Sequence, residues 1–253
     1  MAGVRRNAVL LASAAVALSV WAAPSAAQVD SSGWRFVVTP YLWLAGLDGR
    51  VGVGRVATKV DLGPGDILDM LRFGAMASVE ARRNAWVIAA DGIYVSLGAG
   101  HVLAFRGDTG TLNLEEREVI VQPAAGYTIR DGAWSLDVLG GLRYWYLRAS
   151  LDVDPPRVAS REVADSRQWV DATAGFKVRW VPTTNLRLLA AADGGGGGSR
   201  GSWQAYGSLG YDPWSRWTIA LAYRALSVNY DRDGFLNRTI MKGFVLGATY
   251  RFQ

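Results

Sequence analysis

Over most of this chain apolar and polar residues alternate with a period of two, in segments too long for an ordinary soluble sheet. Successive strand side chains point to opposite faces, so this alternation specifies strands with one oily and one polar face. Residues 71–83 (LRFGAMASVEARR) set Leu71, Phe73, Ala75, Ala77, Val79 and Ala81 against Arg72, Met76, Ser78, Glu80 and Arg82. Residues 133–148 oppose Trp134, Leu136, Val138, Leu142, Tyr144 and Tyr146 to Ser135, Asp137, Gly141, Arg143 and Trp145. Residues 169–181, 202–212 and 216–226 repeat the device. The closing stretch 243–253 (GFVLGATYRFQ) carries Phe244, Leu246, Ala248, Tyr250 and Phe252 on one face. Only 85–98, apolar on both faces around Asp91, is ambiguous.

The connections alternate between short and long. Asn84, Asp131-Gly132, Pro182–Thr184 and Asp212–Ser215 have tight-turn chemistry, whereas 47–70, 99–111, 153–162, 194–201 and 232–237 are long. The strands this predicts are 34–46, 71–83, 85–98, 112–130, 133–152, 163–181, 185–193, 202–212, 216–231 and 238–252. That makes ten, with eight or twelve as alternatives. Soluble sandwich strands run ~5–6 residues, whereas a strand crossing a bilayer needs ~9–11 and often continues into its loops. The expected fold is therefore all-β, a closed antiparallel transmembrane β-barrel. Trp34, Trp86, Tyr127, Trp134, Trp180, Tyr211, Trp217, Tyr250 and Phe252 fall near the short-turn ends, as in an aromatic girdle at a lipid boundary.

The N-terminus predicts export. Arg5-Arg6, the apolar run 8–23 and the small residues Ser25-Ala26-Ala27 form a secretory signal peptide over 1–27, which leaves 28–253 as the barrel domain. The apolar run falls short of the ~20 residues of a membrane-spanning helix. With no cysteine, the chain has neither a lipoprotein anchor nor disulfides, so packing and hydrogen bonding alone must hold it. Its formal charge of +5, lowered by loss of Arg5 and Arg6 with the leader, is too small to argue for nucleic acid.

Closing a sheet removes edges that lipid would leave unpaired, so the last strand is expected to pair with the first. Gly247-x-x-Tyr250-x-Phe252 resembles the C-terminal signal by which the outer-membrane assembly machinery recognises barrels, although such chains usually finish on the aromatic and this one adds Gln253. With the leader and the strand pattern, the chain from about residue 34 resembles a small Gram-negative outer-membrane β-barrel. The stretches PYLWLAGLDG (40–49) and DILDML (66–71) are similar to a widespread subgroup of these proteins. The resemblance implies an outer-membrane location, contact with membrane lipid and lipopolysaccharide, handling by the assembly machinery, and a monomer.

Strand parity aims Arg72, Glu80, Arg82, Asp137, Arg143, Asp171, Lys177, Arg179 and Arg224 into the lumen, with Arg35, Asp91, Glu116, Glu118, Arg130, Arg187, Asp193, Asp212 and Arg251. A barrel of this size is only slightly wider than one filled by side chains. These charges therefore either plug it as a hydrogen-bonded network or line a narrow, weakly anion-favouring pore.

The sequence identifies no catalytic residue, cofactor site or metal site. Ten strands is also the number in the omptin family of surface proteases, whose catalysis uses an Asp pair and an Asp-x-His element. The sole histidine, His101, has no acid two residues before it. It also lacks the serine that lipid A deacylase-type barrels place beside their histidine. Gly194–Gly198 in DGGGGGSRGS lacks the strand-loop-helix setting of a phosphate loop and is expected to be a flexible loop. Asp61, Asp66 and Asp69 do not follow calcium-loop spacing, and Pro64–Leu71 is expected to form a short capped helical turn. The functional expectation is a structural or surface-binding barrel with a largely plugged lumen. The alternatives are a small-solute channel and a barrel enzyme whose site the sequence does not reveal.

Overall fold

The computed structural model describes residues 33–53, 56–105, 108–130, 132–154 and 161–252, with side chains outside 53–56, 101–114 and 151–163. The expected leader lies outside the described residues. In chain order the elements are β1 (Arg35–Val53), β2 (Val56–Leu62), α1 (Pro64–Met70), β3 (Leu71–Arg83), β4 (Trp86–Phe105), β5 (Asp108–Arg130), β6 (Trp134–Asp154), β7 (Arg161–Thr183), β8 (Leu186–Gly197), β9 (Gly201–Trp214), β10 (Trp217–Arg232) and β11 (Phe235–Phe252). Each strand from β3 to β11 pairs antiparallel with its sequence neighbour, β1 pairs with β3, and β11 returns to β1. The result is a closed ten-strand barrel with β2 hairpinned onto the upper part of β1.

The expected parity holds around the wall. Phe73, Ile88, Leu142, Leu221, Phe244 and Leu246 are exposed on the outside, while Arg143, Trp145, Thr173 and Arg224 are buried within. An exposed apolar exterior around a polar interior inverts the soluble arrangement and suits lipid contact. Near the short turns, Trp86 packs edge-on to Tyr127, Tyr250 sits against Trp217 and edge-on to Phe252, and Trp180 and Tyr211 are exposed, so the girdle forms as expected.

The far end departs from expectation. The segment 232–237 is no long loop but a two-residue turn, Asp233-Gly234, with φ of 52° and 71°, the left-handed pair favoured in tight hairpins. Strands β4 and β5 stay paired from Trp86↔Tyr127 to Phe105↔Asp108, and β6 and β7 up to Val153↔Arg161. The lipid-driven alternation stops at the membrane edge, but the backbone hydrogen bonds do not. Once two strands are aligned, prolonging the ladder is the simplest way to satisfy their N–H and C=O groups. The helical turn forms as expected, and the Asp66 Oδ2 accepts the Gly63 N–H at 2.8 Å, which gives that carboxylate a capping role.

One junction is weaker than the rest. The β1–β3 ladder runs from Arg35↔Arg82 to Pro40↔Ala77 and stops. Proline has no N–H to donate, and from Leu47 upward β1 takes β2 as its neighbour on that side. Between these points Tyr41–Gly46 keeps its pairing to β11, but the side toward β3 carries no ladder. Hydrogen exchange on the micelle-bound barrel should therefore be faster at alternate amides of 41–46 and 71–76 than along β5–β6. Equal protection at both junctions would show a continuous ladder instead.

Candidate functional site

The polar faces of the strands converge on the lumen, which is organised in three layers. The lowest surrounds a cavity of about 820 Å³ beside the short-turn end, whose lining includes the turn residues Asn84, Gly132 and Ser215. One ionic cluster lies on β3, β5, β6 and β7. Glu80 accepts from Lys177 Nζ at 2.8 Å and also pairs with Arg82. Asp137 is 0% exposed and accepts from Arg179 at 2.8 Å, from Thr128 Oγ1 at 2.7 Å and from Arg82. Across the cavity Asp212 accepts from Arg187 at 2.7 Å and faces Arg251 at 3.3 Å.

The second layer roofs this cavity. Arg224 on β10 donates to Tyr41 Oη and Asp91 Oδ1, each at 2.9 Å, and to Gln204 Oε1 at 2.7 Å. Tyr41 in turn donates to Asp91 at 2.9 Å. Arg143 on β6 donates to Gln122 Oε1 at 3.0 Å and Ser202 Oγ at 3.1 Å and pairs with Asp193. Gln204 also donates to Gln122 at 2.9 Å, which joins the two arginine groups across the lumen. Charge-assisted bonds of this kind are the stronger class, and their network fixes each guanidinium in place.

Above the roof the lumen is largely apolar, with Glu118 on the same face between Val95 and Leu147 and with Thr239 opposite Val228. Trp43, Ile93, Ile120, Trp145, Leu147, Trp169, Leu226, Val228 and Tyr230 pack as one buried cluster. Trp145 stacks on Trp169 with ring centres 5.6 Å apart, Trp169 stacks on Tyr230 at 4.2 Å, and Arg224 lies over Trp43 at 5.0 Å. This aromatic plug was not expected. Its signal is nonetheless in the sequence, because Trp43, Trp145, Trp169 and Tyr230 fall on the inward parity of their strands, two to six residues from Tyr41, Arg143, Asp171 and Arg224.

The sequence-derived lumen set divides accordingly. Glu80, Arg82, Lys177, Arg179 and Arg224 line the cavity. Asp137 and Arg143, six residues apart on one face, belong to separate networks. Arg72 lies half exposed at the far rim, paired with Glu115 and covering Gly98, where a Cβ would fall 1.9 Å from its Nε. Arg130 does not point inward, because a bulge between Thr128 and Arg130 turns it onto the Trp134 ring at 4.1 Å. Asp171 is fully buried and accepts from Ser199 N at 2.7 Å and Ser199 Oγ at 2.8 Å.

That clamp overturns the expected flexible loop at Gly194–Gly198. The tip of the β8–β9 hairpin is tied down by Gly198 N–H to Val170 O at 2.8 Å and by Arg200 N–H to Asn229 O at 2.8 Å. A Cβ on Gly198 would fall 2.7 Å from both Trp169 Cβ and Val170 O, so glycine there serves close approach rather than flexibility. The side chain of His101 lies outside the described residues. The assembly-signal residues sit on the closing junction, with Gly247 opposite Tyr41, Tyr250 opposite Val38 and Phe252 opposite Phe36.

No protein-family model matches the chain, and no curated protein matches it. Among solved structures it is similar in fold to the outer membrane protease OmpT of Escherichia coli, with a TM-score of 0.61 at 9% identity over 88% of this chain and 98% of that one. The translocator domain of the autotransporter NalP of Neisseria meningitidis gives 0.42 at 15% identity, over 89% and 90% of the two chains. Ail, the attachment invasion locus protein of Yersinia pestis, gives 0.34 at 14% identity, over 87% and 99%. The fold is that of a Gram-negative outer-membrane β-barrel.

Asp137→Asn should lower the temperature at which the folded band is lost in a heating gel-shift assay, because it removes the buried carboxylate between two partly buried guanidinium groups. Breaking a dry buried pair costs ~3–5 kcal/mol, and the adjoining cavity reduces this through hydration. The same change at Asp165, which is 44% exposed in its pair with Arg167, should leave the transition unmoved.

Proposed function

We propose that this chain is an outer-membrane barrel of structural or surface-binding type whose lumen does not conduct, with its short turns toward the periplasm and its long hairpins outside. The observation that carries the reading is the superposition of two obstructions, the Arg143–Arg224 network and the aromatic plug above it. A conducting pore needs a continuous hydrated path, and a stack of Trp145, Trp169 and Tyr230 across the lumen opposes one. The hairpins beyond the lipid belt then offer the surface for ligands, and lipid and lipopolysaccharide contact the apolar exterior. The likeness to OmpT supports the fold, and protease chemistry is not carried over, because His101 has no Asp-x-His element around it.

In a planar bilayer the parent protein should give no steady openings. The double variant Trp145→Ala and Trp169→Ala, which leaves the Arg143–Arg224 network in place, should also stay closed, at a stability cost of ~3–5 kcal/mol per ring removed, and steady openings should need the network broken as well. Steady ion-selective openings in the parent would overturn the reading and favour the anion-preferring channel.

The C-terminal strand is proposed to be the assembly signal. Phe252→Ala should reduce the amount of folded protein in the outer-membrane fraction while leaving inserted molecules non-conducting. Normal assembly of that variant would remove Phe252 from the signal.

A further inference from the structure

The ionic balance of the lowest layer is uneven. Arg35, Arg82, Lys177, Arg179, Arg187 and Arg251 line the cavity at the short-turn end, where the carboxylates are Glu80, Asp137 and Asp212, while Asp91 and Asp193 line it from the roof beside Arg224. The excess cations are concentrated where β11, β1 and β3 meet. Arg35 stands directly opposite Arg82 in the β1–β3 ladder, and Val37, its neighbour on the same face, stands opposite Arg251. Like charges placed directly across a ladder repel each other. Arg82 is compensated by Glu80 and Asp137, and Arg251 by Asp212, but Arg35 has no carboxylate partner among the described residues. Arg187 shares Asp212 with Arg251 and keeps 40% of its side chain exposed.

From this arrangement we propose that the short-turn cavity is a blind binding site for a small multivalent oxyanion, of phosphate or pyrophosphate type, held between Arg35, Arg251 and Arg187. A volume of about 820 Å³ is that of a small-molecule site. Guanidinium groups present paired donors that match the oxygens of such an anion, and the low-dielectric wall focuses their field into the cavity. The roof of Arg224, Asp91 and Gln204 closes the inner end, so an anion entering from the mouth is retained and not passed on. The site rests on the closed-lumen reading only for this retention, since the arginine cluster exists whether or not the plug conducts.

The test is calorimetric titration of inorganic pyrophosphate into the full folded barrel in a neutral-detergent micelle, where both ends are accessible. Folding of each protein is checked by its heat-modifiable gel shift. Saturable binding with one site per barrel is expected, weakening as sodium chloride is raised. It should be about tenfold weaker in Arg35→Ala, and in Arg187→Gln, for the loss of one charge-assisted hydrogen bond. Arg35→Lys should recover part of the loss, and Arg148→Ala, exposed on the outer wall, should bind like the parent. Absence of saturable heat in the folded parent overturns the proposal, as does equal affinity in Arg35→Ala and Arg187→Gln. If Arg35→Ala does not fold, Arg187→Gln decides alone. Conductance separates the two readings. Binding in a barrel that also conducts leaves the anion site standing and removes the closed lumen, whereas a silent barrel that does not bind removes the site alone.

Discussion

Every other feature of this protein depends on the ladder between β1 and β11. It runs from Phe36↔Phe252 to Val53↔Phe235 and turns a sheet into a cylinder. In hydrocarbon an unpaired N–H or C=O costs several kcal/mol, so a sheet with two open edges has no stable place there. Closure makes the apolar exterior affordable, because Leu42, Phe244 and Leu246 are then exposed to lipid rather than water. It also defines an inside, which is why charged side chains can be buried in a membrane protein without facing lipid.

Inside, the chain deals with buried charge in two ways. Near the short-turn mouth, ion pairs border a cavity and can be hydrated, as at Arg187, which keeps 40% of its side chain exposed while Asp212 accepts from its Nε and Nη2. Toward the middle, Arg143 and Arg224 are almost wholly enclosed, and all their donor nitrogens except Arg224 Nε are met by side chains from β1, β4, β5, β8 and β9. The energetic logic is that of any buried polar network, where complete satisfaction rigidifies and a missing partner is costly. The aromatic cluster beyond packs over the network with dispersion contacts among its rings. The three indole N–H groups of Trp43, Trp145 and Trp169 find no acceptor among the described residues, so some polar satisfaction is given up there for close packing.

Strand placement, face assignment, girdle and closure were legible from residue order, because a two-residue period and a lipid-facing surface leave the same trace in every stave. The signal failed where lipid no longer constrains composition. The polar hairpin arms of β4–β5 read as loops, although backbone pairing continues through them. The glycine run read as flexible, although Asp171 on a neighbouring strand ties Ser199 and glycine at 198 lets the tip approach Trp169. Strict alternation aims Arg130 inward, but one extra residue in the β5–β6 ladder reverses it.

Residue order alone sets which residues face lipid and which face the lumen wherever a strand runs without a bulge, since that depends only on the geometry of one extended strand. It also determined that the lumen is charged, through Glu80, Arg82, Asp137, Arg143, Lys177, Arg179 and Arg224. Which of those charges meet was decided only by the tertiary structure. Partners such as Arg82 and Asp137, or Arg224 and Asp91, lie 55 and 133 residues apart and are brought together by the curvature and register of the closed barrel. The same curvature gathers Trp145, Trp169 and Tyr230 into a plug and Arg35, Arg187 and Arg251 around a cavity, because a cylinder brings opposite walls within reach of one another and a single strand cannot.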